Sequence, residues 1–418
     1  MKSRILRTAA LTAVALTAGA GLSACSQDGG TQTLQVQTGF SAGSEQLNVL
    51  TDIAQKFEAA HPGVALDLIP STTSYEQDIK VKLASKDAPD IWMTHGWSRD
   101  RYADFLAPLQ DEAWAKDVNP ILDASMRNDQ GEIFALPVIA DVAGIVYNAD
   151  VLQAAGVDPA SVKTWDDFNA AAAKIKANGV SPIVLSGKES GPAGNLIDWQ
   201  APGVYTDAQL EALKAGTFDN AAYEPMLATV QGWQQNGYIN PDYSSATKDD
   251  VSKALGGGKA AFVFSQNGVT ADALAAFPNA KVGFMPIPSK TGSPYLIGGE
   301  GQATFGAAAN GAHLDTAKQF LAFLAQPDNM AALAKAAGAA PGLLNVPMDL
   351  GPLQASYDTW VTQAKLPLQP YFDRVWLPNG MWNTLVTTTD SVITGQATPA
   401  AATEQVAQSF AGLYGKAE

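Results

Sequence analysis

Cysteine is nearly absent: Cys25 is the single one among 418 residues. A lone thiol cannot close an internal disulfide, so packing alone must hold the fold, and an exposed free thiol is a liability outside the cell. Histidine is almost as scarce. His61, His95 and His313 stand far apart without metal-ligand spacing, which assigns them structural roles and indicates no metal. Charged residues make up only 16% of the chain and are lopsided, with 26 Lys and Arg against 41 Asp and Glu and a net charge of −15. Such an acidic body has no electrostatic affinity for nucleic acid or for an anionic lipid surface. Beyond the N-terminal segment no apolar run is long enough to span a bilayer. The chain lacks a Gly-x-Ser-x-Gly elbow, a His-Glu-x-x-His pair and a phosphate loop. Gly256-Gly257-Gly258-Lys259 lacks the leading glycine of such a loop and reads as a helix terminator. Nothing calls for a cofactor.

What is present begins with compartment. Lys2, Arg4 and Arg7 precede an uncharged Ala- and Leu-rich stretch over 8–21, closed by Leu22-Ser23-Ala24-Cys25. A basic start, a short apolar run and small residues at its end form a secretory signal, too short for a membrane span. Leu-Ser-Ala-Cys resembles the site cut by the lipoprotein signal peptidase. That resemblance implies a signal peptide over 1–24, a lipid on Cys25 and a polar tether over 25–33. Acyl chains hold through about 0.8 kcal/mol per buried CH₂. The expected location is extracytoplasmic, with the membrane reached through the lipid anchor only.

Hydrophobic residues reach 46%, so the chain is globular, and its length favours two lobes over one core. Leu34-Gln35-Val36 alternates as a strand. Leu47, Leu50, Ile53, Ala54 and Phe57 then recur at helical spacing behind Ser44 as N-cap, and His61-Pro62-Gly63 stops the helix. Residues 64–69 read as a strand, Ser74 and Gln77 as a capping box over Ile79 and Leu83, and 89–93 as a further strand. The rhythm restarts with a strand at 145–147 and a helix opened by Thr164 and Asp167. Strands follow at 182–185 and 261–264, then a helix capped by Asp315 and a last helix from Thr398-Pro399. Alternation of this kind predicts α/β architecture with mainly parallel sheets.

The order of segments resembles the family-one extracellular solute-binding proteins, the maltose-binding-protein-like group. The likeness runs through Ala54-Gln55-Lys56-Phe57-Glu58 with Pro62-Gly63-Val64, then Ala88-Pro89-Asp90-Ile91 and Gly131-Glu132-Ile133-Phe134-Ala135-Leu136-Pro137. It continues in Val146-Tyr147-Asn148, Trp165-Asp166-Asp167-Phe168, Gly258-Lys259-Ala260-Ala261-Phe262 and the segment 317–324. The resemblance implies a two-lobe periplasmic-binding-protein type II (Venus-flytrap) fold with discontinuous lobes and a crossing-strand hinge. Mapped onto the chain, it expects an N-terminal lobe from 34–140 with 289–343 and a C-terminal lobe from 144–285 with 346–418. The crossings would lie near 139–143, 285–288 and 343–346. It implies a monomeric, non-enzymatic substrate-binding lipoprotein that captures a sugar in the interlobe cleft and delivers it to the permease subunits of an ATP-binding-cassette importer.

A sugar offers hydroxyls on its rim and C–H faces, matched by carboxylates, amides and flat aromatic rings. Nine tryptophans are available. Trp382, in Gly380-Met381-Trp382-Asn383, resembles the family's late sugar-stacking aromatic; a core tryptophan is the bland alternative. Tyr371, Asp373 and Trp376 follow as candidates, with Asp373 and Arg374 equally readable as a solvated pair. Trp97 follows a strand end, where open α/β sheets bind ligands. Asp141 falls at the first crossing and Gly299 with Glu300 in a glycine pair the family uses along its cleft, or in a plain turn. Trp199 completes the aromatic set. Where relatives carry a cleft tryptophan after the strand at 261–264, this chain has Gln266-Asn267-Gly268, so Asn267 is expected to supply a hydrogen bond instead. Two other readings stay open: a binding protein for a polyamine or peptide, since an acidic chain can line a cleft with carboxylates, and a secreted glycoside hydrolase working with two carboxyl groups.

Overall fold

The computed structural model describes residues 31–72, 75–189 and 191–416. The signal peptide, Cys25, most of the tether and the cap residue Ser74 lie outside the described residues.

The strands in chain order are β1 (Gln32–Ser41), β2 (Val64–Ser71), β3 (Ile91–Thr94) and β4 (Ile139–Ala143). Next come β5 (Ile145–Asn148), β6 (Ser181–Ile183), β7 (Ala260–Val263) and β8 (Val282–Met285). The last are β9 (Leu296–Gln302), β10 (Thr304–Ala307), β11 (Ala340–Pro341) and β12 (Leu368–Gln369). They form three four-stranded sheets ordered β10-β3-β1-β2, β11-β4-β9-β12 and β6-β7-β5-β8. The first belongs to one lobe and the last to the other. The middle sheet joins them, with β4 and β9 running antiparallel.

Local chemistry sets the flanking helices. Ser44 accepts from the Leu47 amide at the start of Glu45–Ala60, whose buried face is Leu47, Leu50, Ile53, Ala54 and Phe57. Phe57 is fully buried against Phe320 and Phe323. Thr164 and Asp167 close a reciprocal capping box on Trp165–Ala177, and Thr398 caps Pro399–Leu413. Each cap contributes about 1 kcal/mol. The proposed cap Asp315 lies inside the first turn of Leu314–Leu324 instead; the N-cap is His313.

Two expectations of topology change. In the first sheet β1 runs parallel to β2 and β3, but in the third β5 is antiparallel to both β7 and β8. β5 enters that lobe directly from β4, so the crossing and not a βαβ unit sets its direction. The return crossing lies in β9 rather than near 285–288. Residues 289–295 stay with the second lobe: the Ser289 amide donates to the Lys163 carbonyl and the Tyr295 hydroxyl to the Trp199 carbonyl at 2.5 Å. In the 343–346 segment the Leu344 amide donates to the Asp117 carbonyl.

β9 is bulged where it meets β4, with the register shifting between Asp141 and Val142. Gly298 has φ +136° and passes so close to the Asp141 carbonyl that a Cβ would lie 2.1 Å from that oxygen. Only glycine fits. Among the described residues no helix is long and apolar enough to cross a membrane.

Candidate ligand cleft

A cleft of about 830 Å³ opens between the lobes. His95, Trp97 and Arg101 wall it from the first lobe; Asp198, Asp373 and Trp382 wall it from the second. Trp97 follows β3 in the short turn Gly96–Ser98, and its indole N–H has no hydrogen-bond partner among the described residues. Trp382 sits in the first turn of Met381–Ile393 and lies across Gly194 of the helix Gly191–Gln200. A Cβ at Gly194 would come within 2.9 Å of the Trp382 ring. The missing side chain lets the indole pack closely against that helix while it lines the cleft.

Behind the aromatics lies a network of carboxyl groups around Arg374. Glu300 in β9 is 0% exposed. Its Oε2 takes hydrogen bonds from His95 Nδ1 at 3.1 Å and the Trp97 amide at 3.4 Å, while its Oε1 meets the Arg374 guanidinium in an ion pair. That one carboxylate thus ties the Trp97 turn of the first lobe to the Arg374 segment of the second. Arg374 also lies over the Tyr371 ring, 4.5 Å from its centroid. The Tyr371 hydroxyl donates to Asp141 Oδ2 at 2.5 Å, and Gln302 Nε2 donates to the same oxygen at 2.9 Å. Burial pushes the Asp141 carboxyl up to about 6, against the pull of Tyr371, Arg374 and Gln302. Asp198 accepts the Asp373 amide at 2.8 Å and is likewise pushed up to about 6 by burial. Asp373 is raised well above the carboxylate range by burial and by the neighbouring Asp198. The two residues stand side by side in the cleft wall.

The sequence candidates divide accordingly. Trp97, Asp373, Trp382 and the edge of Tyr371 line the principal cleft. Asp141 and Glu300 lie behind it, as does Gly299, whose carbonyl accepts from the Ser125 hydroxyl at 3.0 Å; they support the wall from the crossing strands. Asn267 is a correction: its amide donates to the Val142 carbonyl at 2.9 Å, and it borders a smaller pocket of about 230 Å³ behind Gln266. Trp199 is another. It is 0% exposed and packs on Phe264 with centroids 6.2 Å apart, so it is core. Trp376, 8% exposed, faces a separate chamber. Asp373 and Arg374 are not a solvated pair, for each is engaged elsewhere. Asp198, Asn195 and Arg101 went unnoticed as cleft residues. Gly191, Asn195 and Asp198 recur at helical spacing on one face of an otherwise apolar helix, and that was the available signal.

The model of the bacterial extracellular solute-binding protein family matches residues 42–331. The chain belongs to that family. Its relatives include the melibiose/raffinose/stachyose-binding protein MelE of Bacillus subtilis, 31% identical over 371 residues, covering 87% of this chain and 85% of the relative. Among solved structures, the Bacillus subtilis binding protein MsmE in an open conformation matches at TM-score 0.84 and 28% identity, over 92% of this chain and 98% of that one. A sugar transporter from Bacillus licheniformis in complex with stachyose matches at TM-score 0.82 and 30% identity, over 91% and 100%. This solute-binding protein thus has the two-lobe type II fold of those structures.

Proposed function

We propose that the protein captures an oligosaccharide of the melibiose, raffinose and stachyose series between its lobes and delivers it to an ATP-binding-cassette importer. The carrying observation is the cleft of about 830 Å³ with Trp97 on one lobe, Trp382 on the other and hydrogen-bonding carboxyl groups between them. A sugar ring displaces roughly six waters, on the order of 180 Å³ at ~30 Å³ per water, so the volume suits several rings better than one. The likeness to MelE and to the stachyose complex favours the same class. Closure follows from differential affinity, since only the closed form presents both walls to the ligand.

The residues proposed to touch ligand are Trp97, Asp198, Asp373 and Trp382. Tyr371, Asp141 and Glu300 position them. The acidic groups are met by Arg374, which disfavours a polycation such as a polyamine. Asp198 accepts the Asp373 amide, so the two residues adjoin on one wall of the cleft, unlike the two carboxyl groups of a hydrolase, which stand apart on either side of the scissile bond. The reading is a binding protein, monomeric, held outside the membrane by lipid on Cys25. We place its lobes on either side of β4 and β9.

A thermal-shift screen of melibiose, raffinose, stachyose and a polyamine tests this. A saccharide at 100 times its dissociation constant stabilises by about 2.7 kcal/mol. A shift with the polyamine and none with the three saccharides sinks the proposal.

A further inference from the structure

Next to the principal cleft lies a second interlobe chamber of about 570 Å³. The two share the wall made by Leu377, Asn379 and Gly380. Its far side comes from the first lobe. The helix Tyr75–Ala84 buries Ile79 and Leu83 against Trp92, and the next position round the helix, Lys80, turns toward the gap and lines the chamber. The second lobe contributes two aromatic rings that are already fixed. Trp376 packs on Phe372 with centroids 6.2 Å apart, and Tyr414 stacks on Phe410 at 5.7 Å and 22°. Tyr414 is 42% exposed and lines the chamber. Its hydroxyl donates to the Lys214 carbonyl at 2.9 Å, and the stacking on Phe410 orients the ring.

We infer that this chamber is an outer subsite that receives the distal units of an oligosaccharide whose inner units occupy the principal cleft. The inference rests on the saccharide reading above and extends it to chain length. The chemistry is of the same kind as in the inner cleft but with different partners. Rigid aromatic faces from one lobe match the C–H face of a pyranose, and the Lys80 ammonium from the other lobe donates to ring hydroxyls. Because its two sides come from different lobes, a distal unit held there adds to the affinity of the closed form alone. Longer members of the series therefore bind more tightly than the disaccharide, and the difference resides in residues that a disaccharide never reaches.

Calorimetric titration of the wild-type protein and of Lys80→Ala, Tyr414→Ala and Tyr414→Phe with melibiose, raffinose and stachyose tests this. Lys80→Ala and Tyr414→Ala lower stachyose affinity about three- to tenfold and leave melibiose affinity unchanged, while Tyr414→Phe, which keeps the ring, binds stachyose as the wild type does. Lys80 and Tyr414 are at the surface of the chamber, so the variants fold, whereas Trp376 is part of the core and is left intact. Equal losses for melibiose and stachyose, or no loss for either, overturn the outer subsite while the saccharide reading stands. Absence of binding to all three saccharides overturns both.

Discussion

Replacing Glu300 by Gln removes one charge from the carboxylate that touches His95 and Trp97 on one side and Arg374 on the other. Glutamine keeps the shape, so the perturbation is electrostatic. Breaking a buried ion pair by neutralising one partner costs about 3–5 kcal/mol. The Arg374 side chain keeps 25% exposure, so water recovers part of that, leaving a loss of about 2.5 kcal/mol. For a chain of 418 residues the unfolding entropy is ~0.9 kcal/mol/K at ~2.1 cal/mol/K per residue. The melting temperature then falls by about 3 °C, readable by differential scanning calorimetry. Arg374→Met alone strands the Glu300 charge and costs as much or more. The double variant Glu300→Gln with Arg374→Met leaves no unmatched charge, so it loses less than the two single variants together, by at least ~1 kcal/mol. A Glu300→Gln protein melting within 1 °C of wild type, or an additive double variant, refutes the view that this pair ties the lobes; about 1 °C corresponds to less than ~1 kcal/mol here.

Other predictions concern ligand, pH and anchor. Trp382→Ala removes an apolar face from the cleft and lowers saccharide affinity by about 2 kcal/mol, roughly thirtyfold by calorimetry; unchanged affinity removes Trp382 from the site. Gly194→Val drives a side chain into the Trp382 ring and lowers saccharide affinity while the circular dichroism spectrum stays native; full affinity would show that the ring position is unimportant. Folded Asp141 keeps its proton up to about pH 6, whereas the unfolded chain releases it near 3.8. The native state therefore binds more protons between these values, and Asp141 weakens stability as pH rises through that window. Urea titrations at pH 3.5 and 7 will show the wild type losing on the order of 3 kcal/mol relative to Asp141→Asn, and parallel pH profiles would contradict this. Cys25→Ser abolishes lipid labelling and leaves the protein released or unprocessed; persistent labelling refutes the anchor.

Much of the frame was legible because local signals agreed with the fold. Ser44, Thr164 and Thr398 cap the helices their positions announce, and the apolar stripe ending in Phe57 is the buried face. β9 was missed as the return crossing because Leu296-Ile297-Gly298-Gly299-Glu300-Gly301-Gln302 looks like a turn. Gly298 is demanded by the bulge against Asp141, not by a change of direction. In the cleft wall, Trp97 was legible from its place after a strand end and Trp382 from the family's late aromatic segment, and both line the cleft. Trp199 misled, since one residue on a helix turns the side chain by about 100°, which sends Asp198 to the cleft and Trp199 to the core. The Glu300–Arg374 pair joins residues far apart in sequence and is visible only once both crossing strands are placed.

The account stands on lobes that shut around one saccharide. Small-angle X-ray scattering of the protein with and without saturating stachyose addresses this directly. The predicted result is a smaller radius of gyration with ligand, reached in Trp382→Ala only at a roughly thirtyfold higher stachyose concentration. Superimposable profiles with and without stachyose, melibiose and raffinose would contradict it.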